Sequence, residues 1–292
     1  MLKGSIVALV TPMTAATEVD EAAWLALLDW HLASGTNGVV VGGTTGESAT
    51  LTESEFARLL ELAVERAAGR MSILAGTGSS STAATIERTA LAARLGADAA
   101  LVVTPSYNRP SQRGLLAHFR AVADAADRPV VLYNVPARTA VDLQPETSLA
   151  LAEHPNIVAI KEAVSDQQRI ATLVNGGLAV LSGDDPSCCE SMRLGAKGVI
   201  SVAANVIPAA YARLCKLALS GQAEQARALD AGYAELYEFL GVESNPVPVK
   251  WLLSAMGRID RGIRLPLVPL DARWHERGKT LAHALTKPVA VN

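Results

Sequence analysis

The 292-residue chain reads as an α/β protein, a (β/α)8 TIM barrel with a helical C-terminal extension. Three observations carry that reading. Short apolar runs alternate eight times with segments of helical period. The run ends recur at intervals of roughly 20–35 residues, the repeat of a β–α unit. The alternation then stops, and from about residue 207 the chain reads as helices punctuated by Gly and Pro.

The first run, "SIVALVTP", opens the barrel close to the N-terminus. "GVVVGGTTGE", "SILAGTG", "AALVVTPSY" and "PVVLYNVP" supply strands two to five. They are rich in Val and Ile and hardly interrupted, as strands covered on both faces are. "IVAIKEA", "LAVLSGDD" and "KGVISVAAN" supply the last three; Ile157, Val158, Ala159 and Ile160 all read as buried. Residues 53–68, 82–97 and 112–126 space their apolar residues three and four apart, so each presents one stripe to the core. Gly35, Gly96 and Gly195 each close a helix just before the next strand. No low-complexity linker divides the chain. The expected organisation is a barrel over 1–220 that carries the active site, with 221–292 packed on it.

Half the residues are hydrophobic and only 4% aromatic, so Ala, Val and Leu do the packing. Net charge is −3 with acids and bases interspersed, which argues against a nucleic-acid surface. A small acidic substrate must then be met by a local positive group. Cys188 and Cys189 are adjacent and Cys215 stands apart; no His or Cys lies at ligand spacing from the pair. That pattern fits a reducing compartment, with the thiols acting as small buried residues. His31, His118, His154, His275 and His283 are scattered singly, as helix-surface or helix-end residues. The N-terminus reaches a strand and a proline too soon for a secretory signal, and no run approaches the roughly 20 apolar residues of a membrane span. A soluble cytoplasmic protein is expected.

In such a barrel the chemistry sits at the C-terminal ends of the strands. Here those ends carry Thr11, Thr44, Thr45, Thr77, Thr104, Tyr133, Lys161, Gly183 and Ser201. Lys161 either snorkels to water, paired with Glu162, or is held where water is scarce. In the second case part of it is neutral amine, a nucleophile for carbonyl carbon. In "GGTTGES" (42–48), backbone N–H groups and two hydroxyls can hold a carboxylate, although a tight structural turn fits equally. The segment lacks the lysine of a P-loop. "YNVPART" sets Tyr133 at a strand end, able to pass a proton, and Arg138 beyond it, able to grip a carboxylate. A buried tyrosine and a solvated arginine are the plainer alternative. Together the set suits imine chemistry on a small keto acid, with a second acidic substrate at the arginine.

The segments "GSIVALVTP", "GTTGESATL", "TPSYNRPSQ", "YNVPART", "VAIKEA", "LSGDD", "NPVPVKW" and "RLPLVPL" resemble the pyruvate-dependent class I aldolases. That family includes dihydrodipicolinate synthase and N-acetylneuraminate lyase, and the resemblance runs almost the whole length. "YNVPART", "IKEA" and "NPVPVKW" look like the synthase branch. The resemblance implies condensation of pyruvate with L-aspartate 4-semialdehyde on the route to diaminopimelate and lysine, with no metal or organic cofactor. It makes Lys161 the Schiff-base residue and gives Thr44 and Thr45 the pyruvate carboxylate, the backbone of Gly183 and Ile200 completing the pocket. Tyr133, Thr44 and Tyr107 would form a proton relay, Tyr107 coming from a neighbouring subunit. Arg138 would bind the semialdehyde carboxylate. A homo-oligomer is implied, a dimer at least and commonly a tetramer.

Ala137 and Ala140 stand where serine and glycine are frequent in the family. The alternatives are a sialic-acid-type lyase or keto-deoxy sugar acid aldolase of the same superfamily, and a barrel that only binds. Arg138 and Tyr107 weigh against the first, the intact Lys161, Tyr133 and Thr44 set against the second. Lysine-inhibited members bind lysine at the tight dimer interface. Ser48 and Ala49 match there, but Glu53 and Phe56 replace histidines, and Ser80, Ala84 and Ser106 replace an amide, a carboxylate and a tyrosine. Weak feedback is the expectation.

Overall fold

The computed structural model describes residues 2–286. Its strands are β1 (Gly4–Ala8), β2 (Gly38–Val41), β3 (Ser72–Gly76) and β4 (Ala99–Val103). They are followed by β5 (Val130–Asn134), β6 (Ile157–Glu162), β7 (Val180–Ser182) and β8 (Gly198–Ser201). All pair in parallel in sequence order, and β1 closes the barrel on β8. These are the eight apolar runs, in their order.

Both faces of the strands are apolar for different reasons. Ile6, Ala8, Val40, Leu74, Leu101, Val131, Leu181 and Ile200 fill the barrel interior. The alternate residues, among them Val7, Val39, Val41, Ile73, Val102, Leu132 and Ile160, meet the ring of helices. The helices Glu53–Ala67, Thr82–Arg94 and Gln112–Asp124 begin where Thr52, Ser81 and Ser111 accept from backbone N–H groups of the first turn. Gly35, Gly96 and Gly195 take φ of +77°, +91° and +109° at the helix-to-strand turns, as the sequence pattern predicts.

One residue departs from the reading of β6. Val158 is exposed, because the register of β5 on β6 shifts there: Val130 pairs with Ile157 but Val131 with Ala159. The extra residue, at the N-terminal end of the strand, sets the register of the rest. It brings Lys161 opposite Tyr133.

After β8 the helix Pro208–Leu219 packs against β1 and β8. The helices Ala223–Ala231, Ala234–Leu240, Val247–Ala255 and His275–Thr286 follow. Leu236, Phe239, Leu252, Leu253 and Leu281 lie in the same buried core as Trp24 and Leu214. Of the expected extension, 287–292 lie outside the described residues. Among the described residues no helix is long and apolar enough to cross a membrane.

Candidate active site

Period-two alternation puts Ala159 and Lys161 inside the barrel and Ile160 and Glu162 outside. Lys161 is 5% exposed, and its Nζ lies 4.3 Å from the centre of the Tyr133 ring. Among the described residues it makes no ion pair. Glu162, the partner a strand-end lysine could have had, faces away. Its fully buried carboxylate accepts from Arg169 Nε at 2.8 Å, from Asn134 Nδ2 at 3.0 Å and from the Val164 N–H at 2.9 Å. Burial pushes the Glu162 carboxyl above its ordinary value, and Arg169 opposes that rise. The lysine amine is thus left beside an aromatic face with no acidic partner.

A small cleft of about 40 Å³ opens above it, lined by Thr44, Thr45, Tyr133, Lys161, Gly42, Gly43 and Val103 among others. That is room for roughly three waters, the scale of a three-carbon acid. The loop that carries the threonines is drawn tight: Gly46 N and Ser48 N both donate to Gly43 O, and Thr11 Oγ1 donates to Gly46 O at 2.7 Å. A Cβ on Gly76 would stand 2.2 Å from Gly42 O, so only glycine lets β3 approach this loop. A larger apolar groove of about 490 Å³, between Trp30, Pro208, Tyr233 and Leu285, has no lysine or cysteine in its lining.

The loop is also clamped from the C-terminal extension, which sequence reasoning missed. Glu47 takes φ +57° and is buried with Lys250, the two forming an ion pair; Arg264 N donates to the other Glu47 oxygen at 3.1 Å. Asn245 Nδ2 donates to Thr45 Oγ1 at 2.9 Å. A lone lysine inside "NPVPVKW" was the available signal: a lysine buried on an apolar helix face is almost always paired.

Four expected rim hydroxyls serve the frame. Thr89 Oγ1 bonds Thr77 Oγ1, Thr104 Oγ1 bonds Thr139 Oγ1, Ser201 Oγ caps Ala204 N, and Thr11 is committed to Gly46. Gly183 lies against the lysine, since a Cβ there would meet Lys161 Cε at 3.0 Å. Its N–H is spent on Glu162 O at 2.7 Å. Ile200 is buried in the barrel interior. Arg138 is exposed at the mouth, with Nη2 3.3 Å from Asn245 O. Ala140, which ends its short helix, takes φ +57°, a position where alanine is strained by about 1 kcal/mol or more. Tyr107 is not in the cleft: it stands 95% exposed at φ +71°.

The three cysteines are free and buried. Sequence spacing shows no ligand for the pair, but folding brings the Asp230 carboxylate within 4.8 Å of both Cys188 and Cys189 thiols. A hydrogen bond from Cys189 and burial push the Cys188 thiol well up, and burial raises Cys215. Protonated thiols of this kind pack as small apolar groups.

The model of the dihydrodipicolinate synthetase family matches residues 1–285. The chain belongs to that family. It is 53% identical over 284 residues to 4-hydroxy-tetrahydrodipicolinate synthase of Xanthomonas campestris pv. campestris, covering 96% of this chain and 94% of the relative. It is 49% identical over 283 residues to the synthase of Cellvibrio japonicus, covering 96% and 98%. Among solved structures it resembles the chloride-inhibited dihydrodipicolinate synthase of Acinetobacter baumannii complexed with pyruvate, at 47% identity and a TM-score of 0.96. That match covers 98% of this chain and 99% of the other. Membership in the dihydrodipicolinate synthetase family agrees with the closed barrel and with a keto-acid-sized cleft around a lysine.

Proposed function

We propose that this chain condenses pyruvate with L-aspartate 4-semialdehyde through a Schiff base on Lys161, with no cofactor. The activity is that of 4-hydroxy-tetrahydrodipicolinate synthase, a lyase of lysine and diaminopimelate biosynthesis. The observation that carries the residue assignment is the unpaired, buried Lys161 amine against Tyr133 at the floor of a three-carbon-sized cleft. The neutral amine adds to the keto carbon and water leaves, giving an imine. Loss of a methyl proton then makes the enamine, whose carbon attacks the aldehyde and regenerates the imine. The semialdehyde's own amine displaces Lys161 from the imine carbon, closing the ring and freeing the lysine. Thr44 and Thr45 hold the pyruvate carboxylate, the backbone of Gly183 and Ile200 completes the pocket, and Tyr133 and Thr44 pass the protons.

Arg138, exposed at the mouth, takes the carboxylate of the second substrate. Tyr107 completes the relay from a neighbouring copy; its exposed side chain and left-handed backbone support that role, since its own cleft does not use it. A dimer is then the smallest complete catalyst, with the tetramer as the working assembly, and the cytoplasm is the compartment that suits three free thiols. Residues 1–220 form the catalytic barrel and 221–292 the extension. Rate measurements separate this reading from the sugar-acid lyases: rapid product formation from pyruvate and semialdehyde supports it, and preferential cleavage of keto-deoxy sugar acids overturns it.

A further inference from the structure

Asn245 reaches from the extension over the barrel rim and touches both halves of the proposed site. Its Nδ2 donates to Thr45 Oγ1 at 2.9 Å, and its backbone carbonyl accepts from Arg138 Nη2 at 3.3 Å. A hydroxyl that accepts from an amide keeps its own proton to give. Among the described residues Thr45 Oγ1 has no other partner, and Thr45 lines the cleft. The proton is therefore directed to whatever acceptor enters, and a carboxylate oxygen is the strongest acceptor on offer.

Two features make this more than packing. The Asn245 Oδ1 is buried with no hydrogen-bond partner, a cost that a purely structural amide has no reason to carry. The segment's placement is also over-determined: Lys250, on the helix Val247–Ala255 that follows, is paired with Glu47, two residues from Thr45. The amide and the loop it addresses are thereby locked to one another.

We infer that Asn245 is a positioning residue for the keto acid, its side-chain amide setting Thr45 as a donor to the substrate carboxylate. The inference rests on the reading of the cleft as the pyruvate site. The test is borohydride trapping of the full-length enzyme against pyruvate concentration, with KM and kcat for each substrate. Asn245→Ala should raise the pyruvate concentration at half-trapping roughly tenfold, equivalent to about 1.4 kcal/mol. Trapping at saturating pyruvate should survive, because Lys161 is untouched. Asn245→Asp keeps the shape but reverses the polarity: the Thr45 proton turns to the new carboxylate, which also repels the substrate's. It should therefore be worse than Asn245→Ala, by roughly another tenfold.

Should both variants fold poorly, Asn245→Ser, the smallest polar replacement, reports the same contact. Its hydroxyl is too short to reach Thr45 Oγ1, so it should raise the half-trapping concentration as Asn245→Ala does. An unchanged half-trapping concentration in Asn245→Ala or Asn245→Ser, or a milder effect of aspartate than of alanine, would overturn the inference. Failure of the parent enzyme to trap pyruvate at all would instead overturn the reading of the cleft.

Discussion

Replacing Lys250 with methionine removes one partner of a buried pair and leaves the other behind. The two side chains are 4% and 1% exposed, so solvent cannot take over from the lost ammonium. Burial pushes the Lys250 amine below its ordinary value, with the Glu47 charge opposing the shift. What remains to Glu47 is the Arg264 N–H at 3.1 Å. Stranding a buried carboxylate in this way costs about 3–5 kcal/mol, a large part of the stability of an ordinary domain. Glu47 also sits at φ +57° in the turn that presents Thr44 and Thr45, so the same substitution should loosen pyruvate binding. The assay is chemical denaturation at one fixed protein concentration, since association shifts apparent stability. Lys250→Met with Glu47→Gln should regain most of the loss, because no charge is then stranded. A cost below about 1 kcal/mol for Lys250→Met alone, or a double variant worse than the single one, would refute this account of the clamp.

Arg138→Ala should leave pyruvate trapping largely intact and lower kcat/KM for the semialdehyde by about 30-fold to a few thousand-fold, the value of roughly 2–5 kcal/mol for a paired carboxylate contact. Arg138→Lys should rescue only in part, and normal semialdehyde kinetics in the alanine variant would return Arg138 to a surface role. Lysine should inhibit weakly or not at all below a millimolar, measured as initial rate at saturating pyruvate. Phe56 is fully buried with the Arg88 guanidinium 4.1 Å from its ring centre, and Ser80 bonds Ser106 O at 2.9 Å, so neither position offers a charged partner. Two lost charge-assisted bonds of roughly 1.5–3 kcal/mol each weaken binding at least about a hundredfold; half-inhibition well below a millimolar would contradict this. Burial depresses His31 to about 3, so the native state refuses a proton that the unfolded chain accepts below its ordinary pKa near 6.5. Stability therefore falls by up to about 1.4 kcal/mol per pH unit from pH 6.5 towards 3, and His31→Leu should show a shallower acid limb between pH 6 and 4; equal slopes would disprove it.

The eight strands were legible because both of their faces are buried, so Val, Ile and Leu run together in "GVVV" and "PVVL" without polar interruption. The helix ends were legible because Gly35, Gly96 and Gly195 occupy a backbone conformation few other residues tolerate. Lys161 stood out as a charge at the end of such a strand. Val158 was misread because a bulge is a property of two strands in register, and a single strand's composition does not record it. The rim threonines illustrate another limit. Thr44 and Thr45 look the same in sequence as Thr77 and Thr104, and only the direction each hydroxyl points separates those lining the cleft from those pinning loops. Lys250 was visible as a lysine among apolar helix residues, but its partner was not, nor were those of Asn245 and Asp230: each lies between 41 and 203 residues away.

The central claim is that Lys161 is the amine that captures the keto acid. Incubation with pyruvate and borohydride, followed by peptide mapping, tests it directly. The account predicts one stable adduct, on Lys161, and none in Lys161→Ala, whose kcat should fall by several orders of magnitude. An unmodified Lys161, or trapping that persists on another lysine in the variant, would contradict it.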